Sequence, residues 1–146
     1  MNSEQKQFAP KKLPNPVSPV GLAGLRVFVA EDEPLLLMML EDVLDELGCK
    51  VVGTAARVSD ALAFIASGTF DIALLDGKLA DGHIDPVIEV LVTTGVPFVV
   101  ASGMATSYFS DNFVNAVVLQ KPYANTMLEQ ALRRALAQGA VQRQPR

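Results

Sequence analysis

The sequence predicts a doubly wound α/β domain, with a five-stranded parallel sheet in the order 2-1-3-4-5 and helices on both faces. Three observations point there. Apolar runs of four to six residues fall near 25–30, 50–55, 71–75, 97–101 and 115–119, and they are continuously apolar rather than alternating, as in strands covered on both faces. Helical periodicity fills the intervals, so that five β-α units fit within about 115 residues. Polar groups close four of the runs: Glu31-Asp32 the first, Asp76 the third, Ser102 the fourth and Lys121 the fifth.

The elements follow in order. The first strand is Val27-Phe28-Val29-Ala30. The first helix begins at Pro34, a residue suited to the first helical position. Leu36, Leu40, Val43, Leu44 and Leu47 form one face, and Gly48 suits the C-terminal cap. The second helix takes Ser59 as N-cap, packs through Leu62, Ile65 and Ala66, and ends at Gly68. After the strand Ile72-Ala73-Leu74-Leu75, the third helix takes Asp85 as N-cap and Pro86 at its first position, uses Ile88 and Leu91, and ends near Gly95. Ser, Thr, Asp, Asn and Tyr crowd residues 105–112, so the fourth helix is at most short. The fifth uses Leu128, Leu132, Ala135 and Leu136 and ends at Gly139.

Composition narrows the class. A chain of 146 residues, half of them hydrophobic, suits one domain with a substantial core. Four prolines between Pro10 and Pro19 mark residues 1–23 as a disordered tail. Residues 24–139 form the folded domain and 140–146 a C-terminal tail. The net charge of −4, without clustered Lys and Arg, argues against nucleic-acid binding. No apolar run approaches the roughly 18 residues needed to span a bilayer, and Met1–Pro10 has no signal-peptide core. Cys49 is the only cysteine and has no metal-spacing partner, so it reads as a small buried or edge residue in a reducing cytoplasm.

In open α/β sheets ligands bind at the carboxyl ends of the strands where the strand order reverses, here between strands one and three. Asp32 and Asp76 are then neighbours. Crowded carboxylates repel unless a hard cation joins them. Magnesium takes oxygen ligands and keeps some waters, so Asp32, Asp76 and the backbone carbonyl of Lys78 would hold it, with Glu31 on a metal-bound water. A carboxylate is also a nucleophile that accepts a phosphoryl group as an acyl phosphate. The transferred group needs positive charge and donors around it. Lys121 and the Ser102 hydroxyl would supply both, and Pro122 fixes the chain after Lys121, with a cis bond common in tight turns and the isomer left open. Singly, a strand-end Asp is more often a helix cap, and Lys-Pro and Ser-Gly are common turns. Their joint placement at four strand ends makes that reading improbable.

The set resembles the receiver domain of two-component response regulators. The matching residues are Val27-Phe28-Val29-Ala30-Glu31-Asp32-Glu33-Pro34, Asp71-Ile72-Ala73-Leu74-Leu75-Asp76, Val99-Val100-Ala101-Ser102-Gly103 and Lys121-Pro122-Tyr123. The match covers about residues 24–139. The resemblance implies a flavodoxin-like receiver fold, Asp76 as phosphoacceptor, Glu31 and Asp32 as the acidic pair, and Ser102 and Lys121 as readers of the phosphoryl group. It implies a single-domain signalling protein rather than an enzyme, although receivers assist their own phosphorylation and dephosphorylation. Its partners would be a sensor histidine kinase or histidine phosphotransfer protein, and a downstream protein.

Three departures stand out. Val118 occupies the place of the aromatic switch found in most receivers, three positions before the lysine. Gly77 follows Asp76 where an apolar residue is usual. Pro97-Phe98-Val99-Val100-Ala101-Ser102-Gly103 partly matches a subgroup with a Phe-Ala-Thr-Gly motif and no aromatic switch. These features predict a switch that acts through an order change in 103–113, without ring rotation behind Ser102.

Other residues leave alternatives open. His83 reads as a solvated loop residue. Tyr108 and Phe109 are either an exposed anchor for a partner or packing against the sheet. Leu37, Met38 and Met39 are either partner-facing or covered by the fifth helix and the tail. Two rival functions fit the residues less well. A hydrolase with Asp76 as transient nucleophile would want a second carboxylate two residues on, where Lys78 stands. A binding module that has lost phosphorylation would not need the intact acids and Lys121.

Overall fold

A computed structural model describes residues 21–104 and 107–142, with side chains described through residue 139. Most of the expected N-terminal tail therefore lies outside the described residues, as do 143–146. The chain runs β1 (Arg26–Ala30), α1 (Pro34–Glu46), β2 (Lys50–Ala55), α2 (Val58–Ser67), β3 (Ile72–Asp76), β4 (Lys78–Leu79), β5 (Gly82–His83), α3 (Asp85–Thr94), β6 (Phe98–Ser102), α4 (Ser107–Asn112), β7 (Val117–Gln120) and α5 (Asn125–Gln142). The main sheet has the order β2-β1-β3-β6-β7 and is parallel throughout. Counting only its own strands, this is the expected 2-1-3-4-5.

Side chains alternate across the sheet, and the alternation divides the core in two. Val27, Val29, Ile72, Leu74, Val99, Ala101, Val117 and Leu119 face one way, with Leu44 of α1 and Leu128, Leu132 and Ala135 of α5. Phe28, Ala30, Ala73, Leu75, Phe98 and Val100 face the other, with Ala61 of α2, Ile88 and Leu91 of α3, and Phe109 of α4. Cys49 is buried in the first cluster, as expected of a small apolar residue, and burial pushes its thiol pKa up. Among the described residues, no helix is long and apolar enough to cross a membrane.

Several expected boundaries move. The N-cap of α2 is Arg57, not Ser59, and Asp81 does the capping from the neighbouring loop. Its carboxylate accepts from the N–H groups of Val58 and Ser59, which holds its pKa below the usual range. A side chain distant in sequence thus replaces the local cap. Ala66 is exposed, while Ala61 takes the buried place on that helix. The N-cap of α3 is Ile84, so Asp85 is already its first helical residue, and Gly95 ends it with φ 74°.

Helix α5 passes through Gly139 to Gln142, so three residues of the expected C-terminal tail are helical. Gly139 lies within the helix, where a Cβ would come 2.6 Å from Pro97 Cγ. It serves close packing, not termination. The antiparallel β4–β5 pair, Lys78 with His83 and Leu79 with Gly82, had no counterpart in the sequence reading. His83 is exposed, as expected.

Candidate phosphoacceptor site

Parity along the strands decides which groups meet. Asp76 continues the Ile72–Leu74 side of β3, toward α1 and α5. Glu31 and Lys121 follow β1 and β7 on that same side, after Val29 and Leu119. Gly77 and Ser102 continue the opposite side, toward α4. The carboxyl edge of the sheet therefore carries an acid–lysine group on one side and a hydroxyl beside a glycine on the other.

Lys121 Nζ lies 3.3 Å from Asp76 Oδ1 and 3.8 Å from Glu31 Oε1. One carboxylate oxygen each of Glu31, Asp32 and Asp76 falls within a 4.8 Å cluster. Asp32 and Asp76 are half-buried, whereas Glu31 is only 4% exposed. Glu31 Oε2 accepts from the Glu33 N–H at 3.1 Å. Burial, opposed by that hydrogen bond and reinforced by the nearby Asp76 charge, raises the Glu31 pKa to about 7. Burial first, then the charges of Glu31 and Asp76, push up the pKa of the Tyr123 phenol.

The peptide bond between Lys121 and Pro122 is cis. The Lys121 N–H donates to the Ser102 carbonyl at 2.8 Å, tying the lysine to the end of β6. The Lys78 N–H points at Asp76 Oδ1 from 3.4 Å. Ser102 is 3% exposed, and its Oγ accepts from the Met104 N–H at 3.0 Å. A hydroxyl has two lone pairs and one proton, so that bond leaves its donor free for another acceptor.

All the expected side chains thus come to one edge of the sheet: Glu31, Asp32, Asp76 and Lys121 as a cluster, and Ser102 opposite Gly77. Three carboxylates this close suit a hard divalent cation with oxygen ligands. The sequence reading missed the packing behind the site. A Cβ on Gly77 would lie 2.9 Å from Ser102 Oγ, 3.1 Å from Ser102 Cβ and 3.3 Å from Phe109 Cζ. A glycine directly after Asp76 was the available signal. The aromatic pair divides its labour: Phe109 is buried at 1% exposure, while Tyr108 is 36% exposed and its hydroxyl donates to Asp85 Oδ2. In α1, Leu37 packs partly against the core, and Met38 and Met39 are exposed among the described residues.

No family model matches the chain. The solution structure of SdrG from Sphingomonas melonis Fr1 is 37% identical over 82% of this chain and 99% of its own, with a TM-score of 0.66. The response regulator receiver (REC) domain of PhyR from Erythrobacter litoralis is 27% identical over 86% of this chain and 97% of its own, with a TM-score of 0.66. The chain belongs to the response regulator receiver family. Its other receiver relatives include longer proteins. The phyllosphere-induced regulator PhyR of Methylorubrum extorquens is 28% identical over 114 residues, and this receiver spans 43% of its length. SdrG has also been solved in a BeF3-activated conformation, 39% identical over 78% of this chain, with a TM-score of 0.65. Receivers of this kind are phosphorylation-regulated signalling proteins.

Proposed function

We propose that this chain is a single-domain response regulator that accepts a phosphoryl group on Asp76 from a phosphohistidine, on a sensor kinase or a histidine phosphotransfer protein. The observation that carries the reading is the position of Asp76. It lies beside Lys121 and in one cluster with the acidic residues Glu31 and Asp32 at the carboxyl edge of the sheet. The match to SdrG along nearly its whole length supports a stand-alone receiver.

In the transfer, an Asp76 carboxylate oxygen bonds to phosphorus as the donor's P–N bond breaks, and the departing imidazole nitrogen takes up a proton. Lys121 offsets charge on the phosphoryl oxygens, and the Ser102 hydroxyl donates to one of them. Magnesium held by Asp32, Asp76 and the Lys78 carbonyl, with Glu31 beside it, would supply the rest of the positive charge. The acyl phosphate then either changes binding to a downstream protein or passes on to a phosphotransfer partner. A cytoplasmic location fits this chemistry, and the net charge of −4 argues against nucleic acid as a partner.

The test is incubation with acetyl phosphate, or with a panel of phosphorylated histidine kinases, followed by intact-mass measurement. One phosphoryl group per chain is expected with magnesium, and none with chelator. Labelling that is indifferent to chelation would refute the reading. Magnesium should also stabilise the fold by mass action, by about 2.7 kcal/mol at a hundred times its Kd. Asp32→Ala should lose most of that gain in thermal melts. Equal stabilisation of wild type and variant would remove Asp32 from the metal site.

A further inference from the structure

We propose that Phe109 of α4 couples the state of Asp76 to the rest of the molecule, taking the part that a β7 aromatic would otherwise play; the inference rests on the phosphoacceptor reading above. Position 118 holds a half-buried valine, in register with Val100 and packed into the apolar cluster on the α4 side. Its short β-branched side chain is restricted at χ1 and has no ring to turn. The aromatic ring at the site comes from α4 instead. That helix is six residues long, and Ser107, Tyr108, Ser110, Asp111 and Asn112 are exposed. Phe109 is its one buried residue.

The Phe109 ring reaches the residue next to the phosphoacceptor because Gly77 has no side chain. Ser102 and the ring tip crowd the space that a Cβ on Gly77 would take. Ser102 is therefore bounded by Asp76's neighbour on one side and linked to α4's approach on the other, since its Oγ holds the Met104 N–H. A phosphoryl group on Asp76 offers oxygens that draw the Ser102 hydroxyl. A shift of Ser102 carries the Met104 amide with it and changes the wall against which Phe109 packs. Close-packed interiors transmit such displacements instead of absorbing them. The second hold on α4 is the Tyr108 hydroxyl on Asp85, at the start of α3. Two neighbouring residues thus clasp the helix, one at the site and one at α3.

Hydrogen exchange of the α4 amides tests the clasp in the full chain, in two arms. Gly77→Ala needs no phosphoryl group. Its added methyl must displace Ser102 or Phe109, so α4 in the unmodified protein should exchange about tenfold faster than wild type. Phe109→Leu keeps an apolar side chain but loses the ring. It should bind beryllofluoride like wild type, read by 19F NMR, while the beryllofluoride-induced change in α4 exchange falls at least about threefold. Wild-type exchange in Gly77→Ala, or an undiminished α4 response in Phe109→Leu, would overturn the coupling role and leave the phosphoacceptor reading standing. Failure of wild type to take up either beryllofluoride or phosphate would overturn both. Phe109→Met, long and unbranched, should restore part of the response, which separates reach toward Gly77 from simple filling of the core.

Discussion

Asp76→Asn is expected to abolish magnesium-dependent labelling by acetyl phosphate or a phosphohistidine donor, with a loss of at least about two orders of magnitude. The carboxamide has nearly the same shape, but its oxygen is a far weaker nucleophile and forms no acyl phosphate. Folding should survive. The substitution removes one of three crowded carboxylates, so the metal-free variant should be as stable as wild type or more so. The measurement is intact mass together with a thermal melt. Several other acids lie close by, including Glu31 and Asp32 in the same cluster. Labelling retained in a folded Asp76→Asn protein would mean that one of them is the acceptor. Lys121→Ala gives a useful contrast. It leaves the acceptor in place but removes the cation 3.3 Å from it, so transfer should slow without being abolished.

The second large effect concerns Glu31. Its pKa is about 7 in the folded chain against an ordinary 4.5, chiefly because burial penalises its charge. Below pH 4.5 both folded and unfolded chains hold the proton, and Glu31 contributes nothing to the pH dependence. Between 4.5 and 7 the unfolded chain releases the proton while the folded chain keeps it, so stability falls as pH rises. About a pH unit above 7 the loss is complete and constant, on the order of a few kcal/mol. In chelator, Glu31→Gln should therefore be more stable than wild type above pH 7 by about that amount. The two stability curves should converge toward pH 4.5. Lys121 and Asp76 face the same carboxylate, and the Asp76 charge adds to the upward shift. Denaturant unfolding across this range, with unchanged m-values, is the check. Parallel curves for wild type and variant would show that Glu31 is not held protonated by the fold.

Most of the architecture was legible because it rests on periodicity. The apolar runs gave the five main strands to within a residue or two, and Pro34 marked the start of α1. The strand ends brought Glu31, Asp76, Ser102 and Lys121 to one sheet edge, and the structure's strand parity then sets Glu31, Asp76 and Lys121 on one side of it. What escaped depends on contacts between distant residues. Asp81 caps α2 across 23 positions, so no local signal at Ser59 could reveal it. Gly139 resembles a helix stop in sequence but is a helix interior pressed on Pro97. The choice between anchor and packing for Tyr108 and Phe109 was undecidable locally, because adjacent residues on a short helix point to different environments. Only the space over Gly77 shows which one turns inward.

The hydrogen bonds around the loop after β3 make the site mechanically lopsided. On one flank, the β4–β5 pair is fastened at both ends. Asp81 grips the first turn of α2, and the Ile84 N–H donates back to the Gly77 carbonyl at 3.1 Å. On the other flank, α4 meets the core through one buried ring, Phe109, and is held besides by Tyr108 on Asp85. The first flank is an anvil and the second a hammer. On the proposed coupling, a change at Asp76 meets more hydrogen bonds on the first flank and is expected to move the second. On the same coupling, pinning α4 to α3 by a covalent bridge is expected to silence the output while phosphoryl transfer to Asp76 continues.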